Sequence, residues 1–155
     1  MSFSWILGED LTLDLGTSNT LIYSKRKDGK IIEPSVVAVD LNNYEIVAVG
    51  EKAKSMEGKT PDNIITLAPI KGGKIINFEI AQVMLTNLLK KAKSSFSVFH
   101  PKVYIAISSG ISEVDRRAIE DCVIYSGARS VEFIPSAVAS AIGMGLPALE
   151  PSGSV

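Results

Sequence analysis

An α/β fold, with a mixed sheet flanked by helices, is what the sequence predicts. Three observations lead there. Apolar and polar residues alternate along "LTLDL" and "TLIYS" near the start, as they do in strands with one buried face. From Phe78 the apolar spacing lengthens to that of a helix. Beyond it, strand-like and helix-like segments take turns, the pattern of parallel strands joined by helical crossovers.

The elements follow in order. "LTLDL" and "TLIYS" flank a small turn, Gly16 to Thr20. "KRKDGK" carries an Asp28-Gly29 turn signal. "PSVVAVD" and "IVAVG" read as strands around the turn "LNNYE", so the early strands run antiparallel. "GEKAKSMEG" reads as a short helix stopped by Gly58, and "KTPDNIITLAPIKGGK" as a long connection. Phe78 to Lys93 is helical, with Ile80, Val83, Met84, Leu88 and Ala92 on its apolar face and lysines in its last turn, where the helix dipole favours them. "KVYIAIS" is a strand. Ser112 caps a helix through Tyr125, with Glu113 and Asp115 in its first turn and Gly127 past its end. "SVEFI" is a strand, "SAVASAIGMG" a small-residue helix and "LPALEPSGSV" a loop.

Composition narrows the function. A chain of 155 residues is long enough for one domain with a real core. Its net charge of −1 and pI near 5.9 argue against bulk attraction to nucleic acid. The single cysteine, Cys122, excludes an internal disulfide and fits a reducing cytoplasm. No apolar run reaches the ~20 residues of a membrane-spanning helix. "MSFSWILGED" lacks the basic flank of a signal peptide, yet Phe3, Trp5, Ile6 and Leu7 cluster there.

The hairpin bend holds the clearest chemistry. Backbone N–H groups of a tight glycine-containing turn converge on phosphate oxygens. Gly16 admits close approach, and Thr17, Ser18, Asn19 and Thr20 add polar donors. Asp14, just before the turn, suits a hydrated Mg²⁺, which keeps waters and takes carboxylates. By spacing alone, the stretch reads equally as an ordinary hairpin with a polar bend.

With those residues in view, "LDLGTSNTLIY" resembles the first phosphate loop of the actin, seventy-kilodalton chaperone and sugar-kinase superfamily. "EPSVVAVD", "AVGEKAKSMEGKTPDNI", "APIKGGKIINFE", "ISSGISEVDRRAIEDC" and "AIGMGLP" together resemble the MreB family of bacterial actin-like cell-shape proteins, from about Leu11 to Ser154. The resemblance covers the N-terminal half of that family. It implies an actin-like (ribonuclease H-like) ATPase fold whose N-terminal half has a mixed five-stranded sheet and flanking helices. Residues 1–10 would be an apolar N-terminal segment, 11–32 and 78–155 a subdomain of IA type, and 33–77 one of IB type. ATP would lie in a cleft against a second half, with Gly16, Thr17, Ser18 and Asn19 at the phosphates and Asp14 organising Mg²⁺ through water. The family polymerises into antiparallel protofilament pairs at the inner face of the cell membrane. The partners implied are copies of itself, membrane lipids and membrane proteins of cell shape or wall synthesis, with no nucleic acid, in a cytoplasmic, peripheral location.

Two departures from the family pattern stand out. The family's second phosphate loop and adenine pocket lie beyond Val155, so the second half of the clamp is outside this sequence, and one wall alone would hold ATP poorly. The family also has a Glu-Glu-Pro triplet where this chain reads "IPSAV", which places Ser136 at the water-orienting glutamate. A serine hydroxyl is a poor base at neutral pH, and losing a general base costs roughly 10²–10⁴-fold in rate. Weak ATPase activity at most is expected; the simpler role for Ser136 is to cap the helix that follows. The alternative to an ATP-binding filament protein is a non-catalytic fragment or degenerate copy that co-assembles with an intact partner. A sugar kinase or chaperone would share the first loop but not "EKAKSMEGKTPDNI".

Phe96, Val98 and Phe99 sit in "SSFSVFHPK" with lysines nearby, suited to a lipid interface, and the family uses this loop for membrane contact. Phe3, Trp5, Ile6 and Leu7 would join them. His100 is expected on a surface loop. Cys122 is expected as a small buried hydrophobe beside Ala118 and Tyr125. Arg116 and Arg117 are expected on a solvated helix face with Glu113 and Glu120.

Overall fold

Leu11, Leu13 and Leu15 are buried on one side of β1 (Asp10–Leu15), while Asp10, Thr12 and Asp14 stay exposed on the other. The computed structural model of the protein describes residues 10–24, 29–93 and 99–146. A turn at Gly16 to Ser18 leads into β2 (Asn19–Ser24), antiparallel to β1 with Leu13 opposite Ile22. β3 (Gly29–Pro34) pairs antiparallel with β2. Then come β4 (Val37–Asp40), β5 (Ile46–Val49), the one-turn helix α1 (Glu51–Lys54) and β6 (Ile64–Leu67). A two-residue hairpin, β7 (Ile70–Lys71) and β8 (Lys74–Ile75), turns through Gly72 and Gly73 at φ of 58° and 72°. Helix α2 (Phe78–Ala92), β9 (Lys102–Ile107), α3 (Glu113–Tyr125), β10 (Ser130–Pro135) and α4 (Ser136–Gly143) complete the order.

Among the described residues the strands form a five-stranded sheet in the order β10-β9-β1-β2-β3, a three-stranded sheet β5-β4-β6, and the β7-β8 ribbon. β9 runs parallel to both β1 and β10, and the remaining pairs are antiparallel. The larger sheet is therefore mixed, as the alternation predicts. Helices α2 and α3 cover its leucine face: Leu11, Leu13, Ile22, Met84, Leu85, Leu88, Val103, Ile105 and Ile119 are almost wholly out of water. Each such leucine stabilises the fold by about 1.5–3 kcal/mol relative to an exposed one.

The structure corrects several expectations. Lys30 to Pro34 form an edge strand, where Lys30 and Glu33 keep access to water and Pro34 sits at the strand's end. The long connection contains β6 and the β7-β8 ribbon. The buried face of α2 is Ala81, Met84, Leu85, Leu88, Leu89 and Ala92. Ile80 is only half-buried and Val83 is exposed, beside a groove shared with Tyr44 and Ile46. Tyr125 is exposed and meets Phe78 edge-on, so it does not share the buried surroundings of Cys122. Arg117 pairs with Asp121 at 2.9 Å, and Arg116 pairs with Glu113 and lies over the Phe133 ring. The Asp28-Gly29 turn signal falls partly outside the described residues. Among them, no helix is long and apolar enough to cross a membrane.

Candidate functional site

The three parallel strands β1, β9 and β10 end on one side of the sheet, the place where ligands settle in open α/β sheets. A cavity of about 420 Å³ opens there. Its walls come from the end of β1 (Asp14, Leu15), the end of β9 and its loop (Ile105 to Ser108, Gly110, Ile111), the β7-β8 turn (Gly72, Gly73, Lys74), Ile119 and Ser136. Asp14 and Ser136, far apart in sequence, thus share one wall. They do so because Asp14 neighbours Ala106 of β9, which in turn neighbours Ile134 of β10, next to the strand end that leads into α4.

Gly16, Thr17, Ser18 and Asn19 form the bend beside this cavity but do not line it. Gly16 is required there: an added Cβ would run into the Asn19 carbonyl oxygen. Thr17 Oγ1 accepts a 2.8 Å hydrogen bond from Gly72 N–H, which ties the bend to the cavity wall. Ser18 and Asn19 are exposed. Thr20 is not a ligand donor, contrary to expectation. It is fully buried, and its hydroxyl lies 2.9 Å from Ser35 Oγ. Since Ser35 Oγ donates its own proton to Gly16 O at 2.7 Å, Thr20 is the donor in that pair. Ser35 N–H also donates to Ser18 O at 2.9 Å. Ser35, on no strand and remote in sequence from the bend, is what holds it.

Ser136 opens α4 as its first helical residue. The capping position is taken by Pro135, and no side chain caps the helix. The expectation that Ser136 is the cap therefore fails, because the strand runs straight into the helix through Pro135. Ser136 is left exposed on the cavity wall.

Asp14 is the acidic residue and Lys74 the basic residue of the described cavity wall. Lys74 Nζ lies 2.7 Å from Asp115 Oδ2 in the first turn of α3. Ser112 Oγ, the cap of α3, donates to that same oxygen at 2.6 Å. The Lys74 contact, with the Ser112 hydroxyl behind it, holds the Asp115 carboxyl below its ordinary value. Among the described residues no three His, Cys, Asp or Glu side chains gather as a metal site. A lone carboxylate fits the chemistry of Mg²⁺, which is commonly held by one or two carboxylates, waters and ligand phosphates. Ser35 and Lys74 carry no local signal of the site in the sequence, and Ser108, in "SSG" at a strand end, does not fit the Gly-x-Ser-x-Gly elbow. The Gly-Gly pair was the available signal, since it demands positive φ at both turn residues.

Elsewhere, His100 is exposed and its Nδ1 lies 2.8 Å from Gly127 O. Cys122 is wholly buried, which pushes its thiol pKa up to about 12. Phe99 is exposed between α2 and β9. Phe96, Val98, Phe3, Trp5, Ile6 and Leu7 lie outside the described residues.

Comparison with known proteins places this arrangement. The family model described as MreB/Mbl protein matches residues 8–155. The cell shape-determining protein MreB of Escherichia coli strain K12 is 40% identical, over 99% of this chain and 46% of its own length. The cell shape-determining protein Mbl of Bacillus cereus is 39% identical, over 97% of this chain and 45% of its own. The chain thus spans about half the length of these curated relatives. The crystal structure of MreB5 of Spiroplasma citri bound to ADP superposes with a TM-score of 0.79 at 30% identity, over 90% of this chain and 42% of that one. The mixed sheet and its flanking helices are those of the actin-like ATPase fold. With a family match that runs through every described strand and helix, the chain belongs to the MreB/Mbl family of actin-like, cell shape-determining proteins.

Proposed function

We propose that this chain forms one wall of the nucleotide cleft of an actin-like, filament-forming protein that sets bacterial cell shape, with weak ATP hydrolysis. The observation that carries this reading is convergence. Asp14, the Gly72-Gly73 turn and Ser136 meet in one cavity at the ends of β1, β9 and β10, beside a bend held by Ser35. The ADP bound by the MreB5 relative supports it. In this reading the backbone and side chains of Gly16, Thr17, Ser18 and Asn19 receive the phosphates of ATP. Asp14 would hold Mg²⁺ through water, and the ion's contribution is to offset phosphate charge. Residues 11–32 and 78–155 correspond to subdomain IA, and 33–77 to subdomain IB.

Ser136 sets the rate. Its hydroxyl can position a water but does not take the water's proton at neutral pH, so binding is retained while hydrolysis is slow. Ser136 equally favours the second reading, a copy that co-assembles with a catalytically intact partner. Phosphate release by wild-type and Ser136→Glu protein separates the two. A rise identifies a weakened ATPase, and an unchanged rate identifies a non-catalytic copy. Pelleting on addition of MgATP tests self-assembly, and its absence would remove the filament from the reading.

The protein would act in the cytoplasm at the inner membrane face, touching lipid through the loop of Phe96, Val98 and Phe99, with Phe3, Trp5, Ile6 and Leu7 alongside. The exposure of Phe99 supports this. Co-sedimentation with anionic vesicles should fall for Phe99→Ser, and equal sedimentation of the two proteins would exclude the contact.

A further inference from the structure

We propose that Lys74 is a phosphate-binding residue which exchanges its Asp115 partner for the phosphate tail of a bound nucleotide, so that occupancy of the cavity is felt at α3. The inference rests on the nucleotide reading above and adds to it a residue and a response.

Lys74 follows the Gly72-Gly73 turn and supplies the positive charge on the described cavity wall. Lysine suits phosphate as a mobile point charge on a flexible stem. Neither turn glycine has any heavy atom close to where a Cβ would stand, so the backbone beside Lys74 is open to a ligand. Gly72 N–H is hydrogen-bonded to Thr17, which fixes this ribbon against the phosphate bend. Lys74 therefore lines the cavity from a ribbon tied to the bend, and its ammonium, now 2.7 Å from Asp115 Oδ2, has only to swing on its flexible stem to meet phosphate charge there.

The present partner is one that Lys74 can leave. Its side chain is 53% exposed, and an exposed ion pair contributes little to stability. Asp115 does not depend on Lys74 alone. It keeps the Ser112 hydroxyl and sits in the first turn of α3, where the helix dipole favours an anion. A polyphosphate carries several negative charges against one on Asp115, so it wins the competition for the ammonium. When Lys74 leaves, α3 loses its ion pair with the β7-β8 ribbon, and the two elements are free to part slightly.

Two substitutions with opposite expected signs test this. Binding of MgATP and of magnesium triphosphate is followed by phosphorus NMR, which reads weak affinities. Lys74→Met should weaken both ligands roughly tenfold, the effect of one charge-assisted hydrogen bond. Equal losses for the two ligands locate the contact at phosphate. Lys74→Arg should restore binding. Asp115→Asn, which removes the competing anion and keeps an acceptor for Ser112, should tighten binding. A purely structural ion pair would instead make Lys74→Met and Asp115→Asn change affinity in the same direction or not at all. If Lys74→Met binds as wild type does while Asp14→Asn is weakened, the Lys74 assignment fails and the nucleotide reading stands. If wild-type protein binds neither ligand, both fail.

Discussion

Ser35 Oγ donates a 2.7 Å hydrogen bond to the carbonyl oxygen of Gly16, and so sets the shape of a bend to which it is not sequence-adjacent. Ser35 is fully buried and is also the acceptor for Thr20. Ser35→Ala removes the donor and leaves a buried hydroxyl and a carbonyl without their partner. The expected destabilisation is about 1–3 kcal/mol, read as a lower urea midpoint, with weaker MgATP binding because the bend loosens. A midpoint equal to wild type would show that Ser35 does not hold the bend.

Gly16→Ala directs a methyl group at backbone, the Asn19 carbonyl oxygen. No flexible side chain is there to yield, so the hairpin must open. Overpacking of this kind costs about 1–3 kcal/mol. A melting temperature within error of wild type would contradict the close approach.

Glu33 joins three elements. Its Oε1 lies 2.6 Å from Lys91 Nζ of α2, and its Oε2 accepts from Glu51 N–H at the start of α1. Partial burial raises its pKa, but hydrogen bonds from Lys91 and Glu51 N–H, and the charge of Lys91, outweigh that and leave it lowered from 4.5. A lowered folded-state value means that the unfolded chain binds the proton more readily. The contribution of Glu33 is thus full above pH 4.5 and is lost as pH falls below it through the depressed folded value. Unfolding of wild type and Glu33→Gln should differ at neutral pH and converge under acid conditions below that point. A difference that does not shrink would assign the effect to packing and not to charge.

With its thiol pKa pushed up to about 12 by burial, Cys122 stays protonated and inaccessible. An aromatic disulfide reagent at mildly alkaline pH should label it only on unfolding, at the rate of opening. Prompt labelling of native protein would place the thiol at the surface.

The parts of the fold legible from sequence are those whose apolar period is long and regular. β1 and β2, the Ser112 cap with Glu113 and Asp115, and the stop at Gly127 are found where the residues place them. Strands with only two to four paired residues, such as β6 to β8, do not repeat often enough to show a period. β3 hides because its charged residues suit an edge position. The buried stripe on α2 is only partly legible, since Ile80 and Val83 are as apolar as Leu85 and Leu89; only packing against the sheet tells them apart. At the site, Asp14 and the glycine turn announce themselves through local chemistry. Ser35 and Lys74 do not, because their partners lie on distant segments.

β1 is joined to β2 through a three-residue turn but meets β9 only after β3 to β8 and both intervening helices have been made. Local pairings close quickly, whereas a distant one must wait for its partner and then overcome the entropy of a long loop. On a translating ribosome the β1-β2-β3 meander can pair while β9 is still unmade, with the Gly16 bend shaped before the cavity beside it has a floor. That floor, Ile105 to Ser108, arrives with β9. An anion that favours the completed cavity therefore stabilises only molecules in which the late parallel strand has docked, and acts as a selector of correctly finished chains.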